Sequence, residues 1–138
     1  MGEEKREGRI IPGLRYRDPR RAIDWLCKAL GFERHFVAED PDGGIAHAQL
    51  TLGRGMIMLG GHRDDAYGRM MRSPVEVGHN TQGLYVVVAD ADEHLARARA
   101  AGAEVVLDIE DKDYGGRGYT CKDLEGHVWS FGTYDPWS

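Results

Sequence analysis

The chain repeats one structural plan. The stretch "LRYRDPRRAIDWLCKALGFE", beginning at Leu14, opens as a short alternating strand and turns into a helix. Asp18 is the N-cap, Pro19 takes the first helical position, and Ala22, Ile23, Leu26, Cys27 and Leu30 recur at helical spacing until Gly31 stops the helix. "VVVADADEHLARARAAGAE" follows the same plan: Val86 to Val88 read as a strand, Asp90 with Glu93 forms a capping box, and Gly102 ends the helix. Asp18 and Asp90 are 72 residues apart (90 − 18). The same shift lays the hairpin "AHAQLTLGRGMIML" (46–59) on "GYTCKDLEGHVWSF" (118–131), with Met58 on Ser130. Between helix and hairpin, "FERHFVAEDPDGG" and "AEVVLDIEDKDYGG" each give a strand and an acidic loop ending in glycine.

The repeat predicts an α+β fold of duplicated βαβββ units: strand, helix, strand, strand, strand, twice. Residues 9–60 form the first half, 61–82 a linker or lid, and 83–134 the second half. One helix covers only one face of a four-stranded sheet, so the other face of each curved, mixed sheet is left to line a concave cavity. Period-2 alternation assigns the faces. Leu14, Tyr16, Val86, Val88, Trp129 and Phe131 are bulky and belong beneath the helices. Ile11, Gly13, Arg15, Gly83, Tyr85, Val87, Val128 and Ser130 fall on the concave side.

This pattern resembles the vicinal oxygen chelate superfamily, which includes glyoxalase I, the bleomycin-resistance proteins, fosfomycin-modifying enzymes and extradiol dioxygenases. The resemblance covers about residues 9 to 134. It rests on the two strand-helix segments and on "DLEGHVWSFGT", which is similar to the family ending D-P-x-G-x-x-x-E-[LF] and to relatives ending G-H-x-W-S-F. Metal-using members carry His, Glu or Gln at four equivalent positions, on the first and last strand of each half. Counting from the helix caps and the hairpin glycine, the resemblance puts those positions at Ile11, Met58, Gly83 and Ser130. A hard divalent ion takes oxygen or imidazole donors. Two aliphatic or glycine positions, a thioether and a neutral hydroxyl are a poor set, so no metal and no cofactor are expected.

The preferred reading is therefore a metal-free binding protein of the bleomycin-resistance kind, holding a small, mostly apolar or aromatic molecule. Tyr85 offers stacking, Met56 and Met58 an apolar floor, and Thr120 and Ser130 hydrogen bonds. Arg15 is a cation for a carboxylate or phosphate, or equally one arm of an ion pair at a subunit boundary. The alternative is a metal-dependent lyase, isomerase or dioxygenase with displaced ligands. His47 matches Tyr119 under the shift of 72, which puts it on the packed side of the sheet. Arg117, in "DYGGRGY", is expected to tie its loop down.

Charge and composition exclude other classes. At a net charge of −5 the chain is a poor nucleic-acid binder. No apolar run approaches the roughly 18 residues of a membrane span. "MGEEKREGR" has no apolar core and does not read as a leader. Cys27 and Cys121 lack paired spacing and suit reduced thiols in the cytoplasm. The open concave faces, with a linker long for a compact domain, predict a homodimer in which the halves pair between chains.

Overall fold

The computed structural model describes residues 7–138. The start of the amino-terminal run, on which the expectation about a leader rests, lies outside them. The first half runs β1 (Gly13–Tyr16), α1 (Pro19–Leu30), β2 (Glu33–Glu39), β3 (Ile45–Leu52) and β4 (Gly55–Gly61). A connection containing the one-turn helix α2 (Pro74–Val77) leads to β5 (Leu84–Val87), α3 (Ala91–Ala100), β6 (Glu104–Asp111), β7 (Arg117–Lys122) and β8 (Val128–Gly132). The two mixed sheets have the same plan, β1-β4-β3-β2 and β5-β8-β7-β6. The first and last strands of each half are parallel and the other neighbours antiparallel.

Local chemistry explains the elements. Asp18 Oδ1 accepts from Arg21 N at 3.1 Å, and Asp90 Oδ1 from Glu93 N at 3.0 Å, so each helix begins where a carboxylate satisfies a free amide. Gly31 ends α1 in the left-handed region at φ 86°. The acidic loops close identically, with Asp40 N donating to Gly44 O at 2.7 Å and Lys112 N to Gly116 O at 2.8 Å.

Leu14, Tyr16, Trp129 and Phe131 are buried beneath the helices, and Val86 and Val88 pack against the same core. The halves join through the helices, each finishing the other's last turn. From α3, Arg97 Nε donates to Lys28 O at 2.9 Å and His94 Nε2 to Leu30 O at 2.8 Å; Trp25 Nε1 of α1 donates to Ala101 O at 2.9 Å. With Nε2 donating, His94 Nδ1 accepts from Tyr119 OH at 2.6 Å. Burial lowers the His94 pKa, outweighing the bond to Leu30 O, and so favours this neutral form.

The second joint is the β7–β8 turn, whose left-handed corner is Gly126 at φ 89°. Asp123 Oδ1 accepts from Glu125 N (2.9 Å) and His127 N (3.1 Å), and Oδ2 from Tyr16 OH (2.6 Å) and Trp129 Nε1 (3.0 Å). Glu125 reaches the first half, accepting from Arg17 N at 2.5 Å and Asp18 N at 2.8 Å. His127 Nε2 donates to Arg15 O at 2.9 Å. Burial, with Asp123 beside it, holds the Tyr16 phenol well above its usual range. Both carboxylates are buried and fully used, as buried charge requires.

One part of the repeat needs correction. In β3 the register passes from Ala38↔His47 to Glu39↔Ile45, leaving Ala46 in a bulge. Downstream, Ala48 pairs with Leu59 as Tyr119 pairs with Phe131, so β3 matches β7 at a shift of 71 (119 − 48), while β4 matches β8 at 72 (131 − 59). The longer β7–β8 turn restores the residue. A shift of one reverses the faces of a strand. Ala48, not His47, therefore occupies the place of Tyr119 on the packed side. His47 lies half-buried on the opposite face, its Nε2 3.1 Å from Gln49 Nε2.

Candidate ligand-binding site

Among the described residues, two hollows adjoin the two sheets. The larger, about 1080 Å³, runs between β1 and β4 of the first half and β5 of the second, roofed by the connection around Met70, Met71 and Arg72. The smaller, about 210 Å³, sits on the second sheet among Tyr85, Thr120, Ser130 and Tyr134. The residues singled out from the sequence divide between them. Arg15, Met56 and Tyr85 line the larger hollow, and Tyr85, Thr120 and Ser130 the smaller. Tyr85 belongs to both. Met58 lines neither; it is half-buried in register between Gly13 and Gln49.

Each position follows from strand geometry. Tyr85 pairs with Ser130 across β5 and β8, and Ser130 with Thr120 across β8 and β7, so the three stand in one row of one face. Thr120 Oγ1 and Ser130 Oγ are 2.7 Å apart, already bonded to each other. Tyr85 is 44% exposed, and its OH donates to Tyr134 O at 2.6 Å. The hydroxyl anchors the ring and leaves its face free. Burial raises the Tyr85 pKa, so the group is a neutral phenol at physiological pH.

Arg15 is the less ordinary residue. It is only 9% exposed, because Tyr67 of the connection covers it with its ring centroid 5.6 Å from the guanidinium carbon. Arg15 pairs with Gly60, and a Cβ there would come within 2.8 Å of Arg15 Nη1, so glycine makes the room. Nη1 donates to Gly61 O at 3.1 Å, while the buried Nε has no partner. Desolvation lowers the Arg15 pKa, although an arginine stays charged.

The connection was the part least readable from sequence. It is tied down by His62 Nε2, which accepts from Ser73 N at 3.3 Å and from Ser73 Oγ at 3.0 Å, and by Asn80 Nδ2, which donates to Gly126 O at 2.8 Å. Met70, Met71 and Pro74 of the connection line the larger hollow together with the cations Arg69 and Arg72, which the sequence reading did not single out. Arg117 ties its loop as expected, bonding Asp92 at 2.9 and 3.2 Å and Asp111 at 3.2 Å.

A family model described as the Glyoxalase/Bleomycin resistance protein/Dioxygenase superfamily matches residues 10–131. The chain belongs to this superfamily. Within it, TioX from Micromonospora sp. ML1 is 36% identical in sequence, with a TM-score of 0.71 over 91% of this chain and 94% of that one. The protein Mb0911c of Mycobacterium bovis, which is uncharacterized, is 32% identical over 126 residues, 91% of this chain and 83% of its own length. A mutant of the fosfomycin resistance protein FosX from Listeria monocytogenes, solved with Mn(II) and 1S,2S-dihydroxypropylphosphonic acid, shares the fold alone: 14% identity, TM-score 0.62, covering 94% and 92% of the two chains.

Some superfamily members use a metal, so the donor set matters. In this member Tyr85 pairs with Ser130 and Gly13 with Met58, putting Ile11 and Gly83 two residues ahead of those pairs, at the strand entrances. Ile11, Met58, Gly83 and Ser130 offer one thioether and one hydroxyl, and that hydroxyl is bonded to Thr120. Among the described residues no group of three His, Cys, Asp or Glu side chains is gathered as a metal site would need. These residues do not fit a hard divalent ion. No described helix is long and apolar enough to cross a membrane.

Proposed function

We propose that this protein binds, without a metal, a small and mostly apolar or aromatic molecule. The hollow of about 1080 Å³ carries the reading. Its size matches or slightly exceeds the roughly 300–1,000 Å³ of small-molecule sites, and such sites are apolar with a few placed polar groups. Met56, Met71 and Tyr85 provide adaptable thioethers and a flat ring, and Arg15 a polar anchor. The ligand set at Ile11, Met58, Gly83 and Ser130 favours binding over the metal-dependent lyase, isomerase or dioxygenase chemistry of other members.

The working form we propose is a cytoplasmic homodimer. Phe36, Tyr85, Val87 and Leu107 are exposed apolar residues, and Leu107 is 57% exposed; a second copy would cover such faces. The free thiols Cys27 and Cys121 suit a reducing compartment.

The test is a calorimetric titration with the neutral aromatic probe 2-naphthamide. Saturable binding is expected, and Tyr85→Ala should weaken it by about 0.5–1.5 kcal/mol beyond lost contact area, the worth of an aromatic pair. Metal analysis of protein purified without chelators should find less than about a tenth of an equivalent of Mn, Fe, Ni or Zn per chain. Stoichiometric metal, with hemithioacetal turnover abolished by EDTA, would replace this reading with the enzyme. A single species of one-chain mass at sedimentation equilibrium would remove the dimer.

A further inference from the structure

The larger hollow has a charge pattern unlike the rest of the chain. Among the described residues, the arginine ion pairs engage Arg17, Arg20, Arg34, Arg63, Arg99 and Arg117. None of these lines the larger hollow. The four arginines that do, Arg15, Arg54, Arg69 and Arg72, have no carboxylate at ion-pair distance among the described residues. Among the described residues no aspartate or glutamate lines the hollow either, in a chain whose net charge is −5. Among the described residues, an acidic protein gathers cations without carboxylate partners around one cavity.

Arg15 gives that pattern a focus. A guanidinium presents five N–H donors in a planar fork, and a buried one needs partners for charge and hydrogen bonds alike. Here Nη1 reaches a carbonyl, Tyr67 covers one face, and Nε is buried without a partner. A carboxylate would supply both missing partners, two acceptor oxygens and a negative charge. Arg72, whose Nη1 donates to Gly68 O at 3.0 Å, adds a second cation from the roof.

We propose that the ligand is an aromatic or flat apolar acid whose carboxylate docks on the Arg15 guanidinium while its body lies along Met56, Met71 and Tyr85. This rests on the binding function proposed above and names its ligand class. The roof is part of the recognition: Tyr67 stacks on the cation and Arg72 faces the same cavity, so the connection reads the acid.

Calorimetry with 2-naphthoate beside 2-naphthamide tests it. The carboxylate should bind about tenfold more tightly than the amide, the increment of a charged hydrogen-bonded pair. Arg15→Gln should erase that preference, bringing the two probes to equal affinity, whereas Arg34→Gln, on the surface beside Asp24, should alter neither. Circular dichroism checks that Arg15→Gln is folded. If it is not, Arg15→Lys keeps the charge but loses the fork and should lose most of the preference. Equal binding of the two probes by the native protein overturns the inference while sparing the binding function. A preference that survives Arg15→Gln or is undiminished in Arg15→Lys overturns the assignment to Arg15. Failure of both probes to bind overturns the binding function, and this inference with it.

Discussion

The two halves share one backbone plan but distribute volume in opposite ways. In the first, α1 buries Ile23, Leu26 and Leu30 against a sheet of Ala48, Leu50, Ile57 and Leu59. In the second, α3 buries Ala91, Leu95 and Ala98 against Tyr119, Cys121, Trp129 and Phe131. Leu26 and Ala98 stand at matching places on the helices, as Ile57 and Trp129 do on the sheets. A large helix residue faces a small sheet residue, or the reverse, because a core must be filled at fixed total volume. The same division governs the open faces. Gly60 and Gly132 are equivalent; the first leaves room for Arg15 and the second for Tyr85, whose OH would lie 2.6 Å from a Cβ at Gly132. The duplicated glycine thus supports a cation in one half and an aromatic ring in the other.

That comparison can be broken most directly in the cores. Trp129→Ala should cost about 3–5 kcal/mol in urea unfolding, because the small residues of α3 cannot fill the gap. The reverse experiment, Ile57→Trp, should cost about 1–3 kcal/mol by overpacking against α1. An Ile57→Trp variant as stable as the native protein would end the argument from exchanged volume. Next in size is the joint between the halves. Asp123→Ala leaves the Tyr16 hydroxyl and the Trp129 indole N–H buried without an acceptor, at about 1–3 kcal/mol for each. A smaller loss would mean that the halves need this corner less than its hydrogen bonds suggest.

The smallest expected effect is one of pH. His94 occupies in α3 the place that Ala22 holds in α1, and burial lowers its pKa. The unfolded chain therefore takes up the proton first as pH falls. The stability linked to neutral His94 is complete above about pH 6.5, the ordinary histidine value, and drains away below it. The Tm measured from pH 7.5 down to 5 should fall, and His94→Ala, which installs the first-half residue, should flatten that part of the decline. An unchanged slope would remove His94 from the acid response.

Much of the fold was legible because its signals are local. Asp18 and Asp90 cap helices by chemistry that spans three residues, and the faces of β1, β4, β5 and β8 follow from alternation anchored by those caps. β3 was misjudged because a bulge at Ala46 has no compositional mark: alanine fits either face, and the compensating residue lies beyond the next strand pair, in the β7–β8 turn. The candidate site was legible only in part. Tyr85, Thr120 and Ser130 stand on neighbouring strands and fall together by register. Arg15 was read onto the right face, but its burial depends on Tyr67, 52 positions away (67 − 15) in a segment without periodicity. The arginines of the roof carried no signal beyond mixed charge.

The bulge at Ala46 also bears on how the two halves could trade parts. Like a frameshift in a coding sequence, the extra residue offsets by one the residues that correspond between the halves, until the longer β7–β8 turn restores the count. A recombinant that splices β7 into β3 by the shift of 72 sets Thr120 where Ala48 stood and turns the packed face outward, whereas the shift of 71 keeps it. Deleting Ala46 would remove the bulge and leave Ile45, Ala48 and Leu50 on the packed face in alternation with His47 and Gln49. Duplicated halves of this kind can diverge freely at single positions, yet they exchange segments only where the offset between them is respected.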